Sequence, residues 1–96
     1  MAPRDKEAAD WLRKAAEGGD TVGQARLGAF YLDGRGVTKD DKEGAQRLRK
    51  SAEKGYGWAQ AKLGLCYKNG HGVAQDEKEA VKWFRRAAEQ GDAEGQ

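Results

Sequence analysis

Apolar residues recur along much of this chain at the three- and four-residue spacing of a helix that buries one face. In residues 77–90 this stripe consists of Ala80, Trp83, Phe84, Ala87 and Ala88. In residues 5–17 it consists of Ala8, Trp11, Leu12, Ala15 and Ala16. Residues 41–54 carry a weaker version, in which Arg47 replaces the tryptophan and Gly44 interrupts the helix at a cost of about 1 kcal/mol relative to alanine. Three amphipathic helices are therefore predicted, with Trp11 and Trp83 on their buried sides.

Two further stretches, residues 21–33 and 56–69, are apolar on two faces. One face carries Leu27, Gly28 and Tyr31 in the first stretch, and Leu63, Gly64 and Tyr67 in the second. The other face carries Val22, Ala25, Ala29 and Leu32, matched by Trp58, Ala61 and Leu65. Packing between two paired helices uses only one face of each, so the second apolar face predicts a further neighbour or a partner.

The same structural unit occurs more than once in the chain. Residues 27–40 and 63–76 share the pattern L-G-x-x-Y-x-x-G-x-G-V-x-x-D at a distance of 36 residues. A second block, which begins D-K-E or E-K-E and ends in glycine, starts at residues 5, 41 and 77. We therefore expect a single domain, 1–96, that is an array of helical repeats. Its predicted parts are a helix at 4–18, repeats at 20–55 and 56–91, and the start of a further helix at 92–96.

This array resembles the Sel-one-like repeat (SLR), a subfamily of the tetratricopeptide-like (TPR-like) α-solenoids. The residues that carry the resemblance are Leu27, Gly28, Tyr31, Gly34, Gly36, Val37, Asp40, Leu63, Gly64, Tyr67, Gly70, Gly72, Val73 and Asp76, with Ala80, Trp83, Ala87, Ala88 and Gly91. The resemblance implies an all-α fold, a right-handed α-solenoid of antiparallel helix pairs with about two and a half repeats and five helices. It also implies a scaffold that holds other proteins together.

In such arrays the helices with two apolar faces line the concave side, and the resemblance places the partner-binding surface there. The residues expected on it are Val22, Ala29, Leu32, Asp33, Trp58, Ala61, Leu65, Lys68 and Asn69. They would bind a peptide or a helix of another protein, with the polar members at the rim. Trp58 is either a half-exposed anchor, of the type enriched at binding hot spots, or a core residue buried by a neighbouring helix. Helix phase alone leaves both interpretations open.

Composition and charge restrict the classes of partner. Charged residues make up 35% of the chain, but 18 basic residues face 16 acidic ones and the two signs are interspersed. This pattern lacks the sustained basic stripe of a nucleic-acid-binding protein. The sequence contains no run of 18 apolar residues, so membrane insertion is not expected. No apolar signal-peptide core follows Met1. The compartment is left open, and we expect the chain to be part of a longer, bacterial protein because the array begins and ends within a repeat.

Residues that could carry chemistry have structural alternatives. Gly34-x-Gly36 follows a predicted helix, whereas a phosphate-binding loop follows a strand, so a turn is expected. Cys66 and His71 could form a nucleophile pair, but their repeat equivalents are a helix phenylalanine and a turn arginine, which favours a packed thiol and a solvated histidine. Hydrolase activity has been proposed for cysteine-rich relatives, whose paired cysteines this chain lacks. We therefore expect no catalytic site, metal or cofactor, and no enzyme activity.

The remaining predictions concern helix ends and self-association. Asp40 with Glu43, and Asp76 with Glu79, have the spacing of a capping box. Arg47 could bind a ligand, although a stem that covers apolar surface and a solvated head is the favoured interpretation. Because the end faces of a repeat array are complementary to each other, chains could also stack end to end as homo-oligomers. This structural role is the alternative to a binding scaffold.

Overall fold

The computed structural model describes residues 3–94 of the chain, which form five α-helices and no strand. The helices are α1 (Pro3–Glu17), α2 (Thr21–Asp33), α3 (Asp41–Glu53), α4 (Gly57–Asn69) and α5 (Glu77–Glu94). They pack one after another in chain order, so the predicted all-α fold is confirmed. None of the helices in this part of the chain is long and apolar enough to cross a membrane.

Aspartates begin three of the helices by accepting hydrogen bonds from backbone N–H groups of the first turn. Asp20 accepts from Gly23 N–H at 2.7 Å, and Asp40 accepts from Glu43 N–H at 3.1 Å. Asp76 repeats the second arrangement at the start of α5. The capping box at Asp40 is only half formed, because the Glu43 carboxylate accepts from Arg47 instead of returning to the Asp40 backbone.

The glycine pairs end α2 and α4 and seat the following turns on a neighbouring helix. Gly34 and Gly70 adopt left-handed conformations, and their N–H groups donate to the carbonyls of residues 30 and 66. The second glycine of the later pair, Gly72, has a φ of 77° and touches the backbone at the start of α3. A Cβ at Gly72 would lie 2.0 Å from the Asp41 carbonyl oxygen. The Gly-x-Gly segments are therefore helix-terminating turns, as predicted.

Helix pairs pack closely because small residues meet at the contacts. A Cβ added to Gly28 would lie 2.8 Å from the Gly44 carbonyl oxygen, and the reverse addition gives the same distance. Gly44 therefore admits α2 to the backbone of α3, a role that its expected cost in helix propensity did not reveal. In the next pair, the Phe84 ring occupies the space beside Gly64. The core cluster is correspondingly rich in small residues and comprises Ala25, Ala45, Leu48, Ala52, Ala59, Leu63, Cys66 and Trp83.

The two tryptophans that share a repeat position have different surroundings. Trp83 is 4% exposed, as predicted, whereas Trp11 is 77% exposed and the prediction that it is buried is wrong. The equivalent residue of α3, Arg47, faces the preceding helix and donates to Gln24 of α2 at 3.4 Å. No helix precedes α1 in the part of the chain that the structure describes, so nothing there covers Trp11. Burial at this position depends on a neighbour rather than on the helix itself.

The end of α5 also differs from the repeat pattern. Gly19 and Gly55 have positive φ and turn the chain into the next helix, but α5 continues through Gly91 to Glu94. The earlier turns are held by Gln24 and Gln60, whose amides donate to the end of the preceding helix at 2.9 and 3.1 Å. The repeat equivalent of these two glutamines is Gln96, which lies outside the described residues. The last two residues of the predicted helix 92–96 therefore lie outside them as well. The division into repeats 20–55 and 56–91 stays a prediction.

Candidate functional site

The site that the fold offers is a groove between α2 and α4. These are the only two helices among residues 3–94 that touch without being neighbours in the chain; α1, α3 and α5 do not touch one another. Two cavities of about 160 and 370 Å³ share Asp33 and Lys62, and we call them together the α2/α4 groove. The smaller is lined by Arg26, Ala29, Phe30, Asp33, Arg35, Trp58 and Lys62. The larger is lined by Leu32, Asp33, Lys39, Lys62, Leu65, Cys66, Asn69 and His71.

Six of the nine residues predicted for the binding surface line this groove, namely Ala29, Leu32, Asp33, Trp58, Leu65 and Asn69. Val22 is exposed but lines neither cavity. Ala61 and Lys68 line separate cavities beside α5. At 3.6 residues per turn, these two residues lie about 60° and 80° to one side of Trp58. Trp58 also lines the cavity that contains Ala61, so the apolar surface of α4 continues from the groove toward α5. The binding role of all nine residues stays a prediction.

Basic residues of the groove were missed in the prediction. Arg26 and Lys62 are repeat equivalents, and each follows a residue of the predicted stripe, Val22 or Trp58, by four positions. This spacing places them about 40° around the helix, on the side opposite to Ala61. The i, i+4 spacing was a usable signal, because residues so spaced are neighbours on a helix surface.

Trp58 lies at the centre of these contacts and is 38% exposed. The Lys62 ammonium is 5.3 Å from the centroid of its ring, and the Arg26 guanidinium carbon is 5.8 Å from it. Both distances fall within the range of cation–π attraction. The Tyr56 ring is 6.2 Å away in a tilted arrangement. Trp58 is therefore positioned by its neighbours while a large part of its surface stays open to the groove.

The groove carries an excess of positive charge. Arg35 donates to Asp5 at 3.0 Å and lies over the Phe30 ring, and Lys39 is paired with Asp41. Arg26 and Lys62 have no ion-pair partner among the described residues. Asp33 is the only carboxylate among the side chains that line the two cavities.

The thiol and the imidazole do not form a reactive pair. Cys66 is buried in the core, and desolvation, assisted by the nearby Asp41 charge, raises the pKa of its thiol to about 11. A nucleophilic cysteine needs the opposite shift of its pKa. His71 is exposed in the turn, where its backbone N–H donates to the Cys66 carbonyl at 2.9 Å. Across residues 3–94, no group of three or more His, Cys, Asp or Glu side chains is arranged to hold a metal ion.

Arg47 is occupied by contacts within the protein. Its Nε donates to Glu43 of the same helix at 2.9 Å, and its Nη1 donates to Gln24 of α2. The side chain is largely buried between the two helices. Arg47 therefore has a structural role, but the prediction of a solvated head is wrong, because the guanidinium is bound between α2 and α3.

Comparison with solved structures finds the same arrangement of helices in bacterial repeat proteins. The Sel1 repeat protein from Oxalobacter formigenes matches with a TM-score of 0.86 and 43% identity over 92% of this chain and 36% of that one. The protective antigen c5321 of uropathogenic Escherichia coli, which displays an SLR fold, matches with a TM-score of 0.83 and 48% identity over 85% of this chain and 18% of that one. Helicobacter pylori cysteine rich protein B matches with a TM-score of 0.81 and 36% identity over 91% and 67% of the two chains.

The chain thus spans about a third of the length of the Oxalobacter protein and less than a fifth of the Escherichia coli antigen. Comparison with curated proteins gives no match. The family model of the Sel1 repeat matches residues 3–20, 21–56 and 59–92, which is nearly the whole chain. These segments contain the helix stripes and glycine turns described above, and the chain belongs to the Sel1 repeat family.

Proposed function

We propose that this chain is a non-catalytic scaffold module whose α2/α4 groove binds a peptide or a helix of a partner protein. The observation that carries the proposal is Trp58, which lies half exposed at the groove next to the exposed Leu65. Tryptophan is among the residues most enriched at binding hot spots, where a large apolar side chain enters a desolvated contact. Apolar surface in a recess with a polar rim is typical of a protein-interaction site.

The internal packing of α2 and α4 does not need these side chains. Leu27 and Leu63 occupy the opposite face of each helix and are fully buried. The raised pKa of the Cys66 thiol also disfavours a nucleophilic role for this residue, which lines the groove. A scaffold module requires surface complementarity rather than reactive groups, and the groove supplies apolar and charged surface together.

The first test is a selection of random 12-residue peptides displayed on phage against the folded protein. Selected peptides are labelled, and their affinities are measured by fluorescence anisotropy for the wild type and a Trp58→Ala, Leu65→Ala variant. Loss of a hot-spot tryptophan costs about 2 kcal/mol or more, so we expect affinity to fall by at least about thirtyfold. A Trp11→Ala, Val81→Ala variant, which also removes two exposed apolar side chains, should bind as the wild type does.

Circular dichroism of both variants is the control for intact helices. Equal affinity of all three proteins for the selected peptides would show that binding occurs elsewhere and would refute the assignment of the groove.

Self-association is a second candidate function, favoured by the exposed Trp11 on α1 and the exposed Val81 on α5. Contact between such faces would join chains head to tail. Sedimentation velocity over a wide range of protein concentrations tests it. The proposal requires association that Trp11→Ala weakens, and a monomer at every concentration contradicts it.

A further inference from the structure

The α2/α4 groove has charged as well as apolar walls. We propose that it binds an acidic peptide segment, in which carboxylates contact Arg26 and Lys62 while an apolar side chain packs on Trp58. This inference rests on the proposed function and specifies the chemistry of the partner. Its basis is the pair of basic side chains that the fold brings to one tryptophan ring.

The two cations are held in position but are not neutralised. Each lies within 6 Å of the Trp58 ring centroid, and neither has an ion-pair partner among the described residues. Other cations of the groove differ, because Arg35 is paired with Asp5 and Lys39 is paired with Asp41. Attraction to the ring orients a cation without satisfying its hydrogen-bond donors, which stay available to an incoming carboxylate.

The charge of the groove is a local feature rather than a consequence of composition. The whole chain has a net charge of only +2. Of the four Arg and Lys side chains that line the groove, Arg35 and Lys39 are paired with Asp5 and Asp41, so two cations remain against the single lining carboxylate, that of Asp33. A recess with an excess of one sign of charge attracts ligands of the opposite sign and raises their rate of association. An acidic segment is therefore the complementary occupant.

Geometry limits the spacing of the acidic residues. Because both cations lie within 6 Å of one centroid, their charged groups are at most about 11 Å apart. An extended strand rises about 3.3 Å per residue and turns every second side chain to the same face, so carboxylates two positions apart fall within this separation. On a helix, side chains three or four residues apart also lie within it. The apolar side chain that packs on Trp58 must lie on the same face of the segment as the two acids, at an even spacing in a strand or three or four residues away on a helix.

The lining favours a peptide over a nucleic acid. Much of the groove wall is apolar, formed by Ala29, Leu32 and Leu65, which matches side chains better than a phosphate backbone does. Single-stranded nucleic acids bind on successive exposed aromatic rings with a continuous basic track. Here Asp33 interrupts the positive charge at the junction of the two cavities.

The experiment uses the peptides selected from the random library on the wild-type protein. We expect aspartate and glutamate to be enriched among them. Replacing these residues with asparagine and glutamine should lower the affinity of the peptides at least tenfold. Raising the salt concentration should lower the affinity of the acidic peptides by a similar factor. An Arg26→Glu, Lys62→Glu variant of the protein should bind the acidic peptides at least tenfold more weakly than the wild type does. If this charge reversal prevents folding, an Arg26→Gln, Lys62→Gln variant replaces it in the test.

Lys42→Glu, Lys78→Glu is the matched control. These two lysines are exposed repeat equivalents in the first turns of α3 and α5, and the change alters the net charge of the protein by the same amount. The control should change affinity less than twofold.

The outcomes separate this inference from the proposed function. Neutral or basic peptides that depend on Trp58, but not on Arg26 and Lys62, would overturn the acidic partner and leave the groove as the binding site. Peptide binding that is indifferent to Trp58 would overturn both. A labelled oligothymidine that binds more tightly than every selected peptide, and loses affinity in the charge-reversal variant, would replace the acidic peptide with a nucleic acid.

Discussion

At the scale of single residues, Cys66 shows how burial determines chemistry. Desolvation raises the pKa of its thiol from 9.0 to about 11, because the charged thiolate is disfavoured in the core. In the unfolded chain the thiol loses its proton at the ordinary, lower pKa. Between these two values the unfolded state therefore binds fewer protons than the folded state, and the free energy of unfolding falls as pH rises.

We predict that the contribution of Cys66 to the free energy of unfolding is fully present below pH 9. By pH 10 about 1 kcal/mol of this free energy should be lost. Urea denaturation of the wild type and of Cys66→Ala at pH 8 and pH 10 measures this loss. The alanine variant still contains every other group that titrates in this range, so the difference between the two pH dependences isolates the thiol. Parallel pH dependences of the two proteins would contradict the prediction.

The tryptophans show which residue environments can be inferred from a repeat pattern. Trp11 and Trp83 have identical positions in the repeat, and the pattern predicted burial for both. Among residues 3–94 a helix precedes α5 and covers Trp83, whereas none precedes α1, and Trp11 is exposed. Helix phase could indicate that Trp58 belongs to a second apolar face, but its contacts with Arg26 and Lys62 depend on how two repeats approach each other.

At the scale of helices and turns, the glycine turns hold successive repeats together. Gly72 combines a positive φ of 77° with a backbone contact, since an added Cβ would lie 2.0 Å from the Asp41 carbonyl oxygen. Gly36 makes the equivalent contact with Asp5 at the start of α1. A side chain at either position would force the turn away from the neighbouring helix.

We predict that Gly72→Ala destabilises the protein more than Gly19→Ala does. Gly19 also has a positive φ, of 87°, but its added Cβ would meet nothing within 4 Å. Gly19→Ala therefore suffers the left-handed backbone penalty of about 1–2 kcal/mol alone, whereas Gly72→Ala adds a steric clash that only movement of the backbone relieves. Urea denaturation gives both free energies. An equal decrease in the free energy of unfolding for the two variants would show that the turn moves away from α3 at no energetic cost.

Helix boundaries were predictable because aspartates and glycines mark them in the sequence. Asp40 and Asp76 bind the first turns of α3 and α5, and Gly34 ends α2, as their positions indicated. The end of α5 was not predictable in this way. A glycine such as Gly91 permits a turn but does not impose one, and at the earlier turns a glutamine of the next helix holds the bend.

At the scale of the whole molecule, the helices form a nearly one-dimensional array. Each helix packs on its neighbours in the chain, and the approach of α2 to α4 is the only further packing of one helix on another among the described residues. The groove results from that approach. Six residues predicted for the binding surface line it, whereas its basic residues were missed although their i, i+4 spacing to Val22 and Trp58 was a usable signal. The apolar stripe is a property of each helix, whereas the sides of α2 and α4 that face each other are set by the curvature of the array.

This arrangement predicts that stability differs along the chain. α1 packs on α2 alone, less extensively than α3 does, so we expect it to open without unfolding the other helices. Hydrogen exchange followed by mass spectrometry should show faster exchange in residues 3–17 than in residues 41–53. Ala9→Glu, which places a charge at a fully buried contact of α1, should remove the protection of α1 while α3 to α5 keep theirs. Trp11→Glu changes an exposed position of the same helix and should leave the pattern unaltered. If Ala9→Glu lowered protection equally in all five helices, the array would unfold as one cooperative unit, and the groove between α2 and α4 would depend on α1 as well.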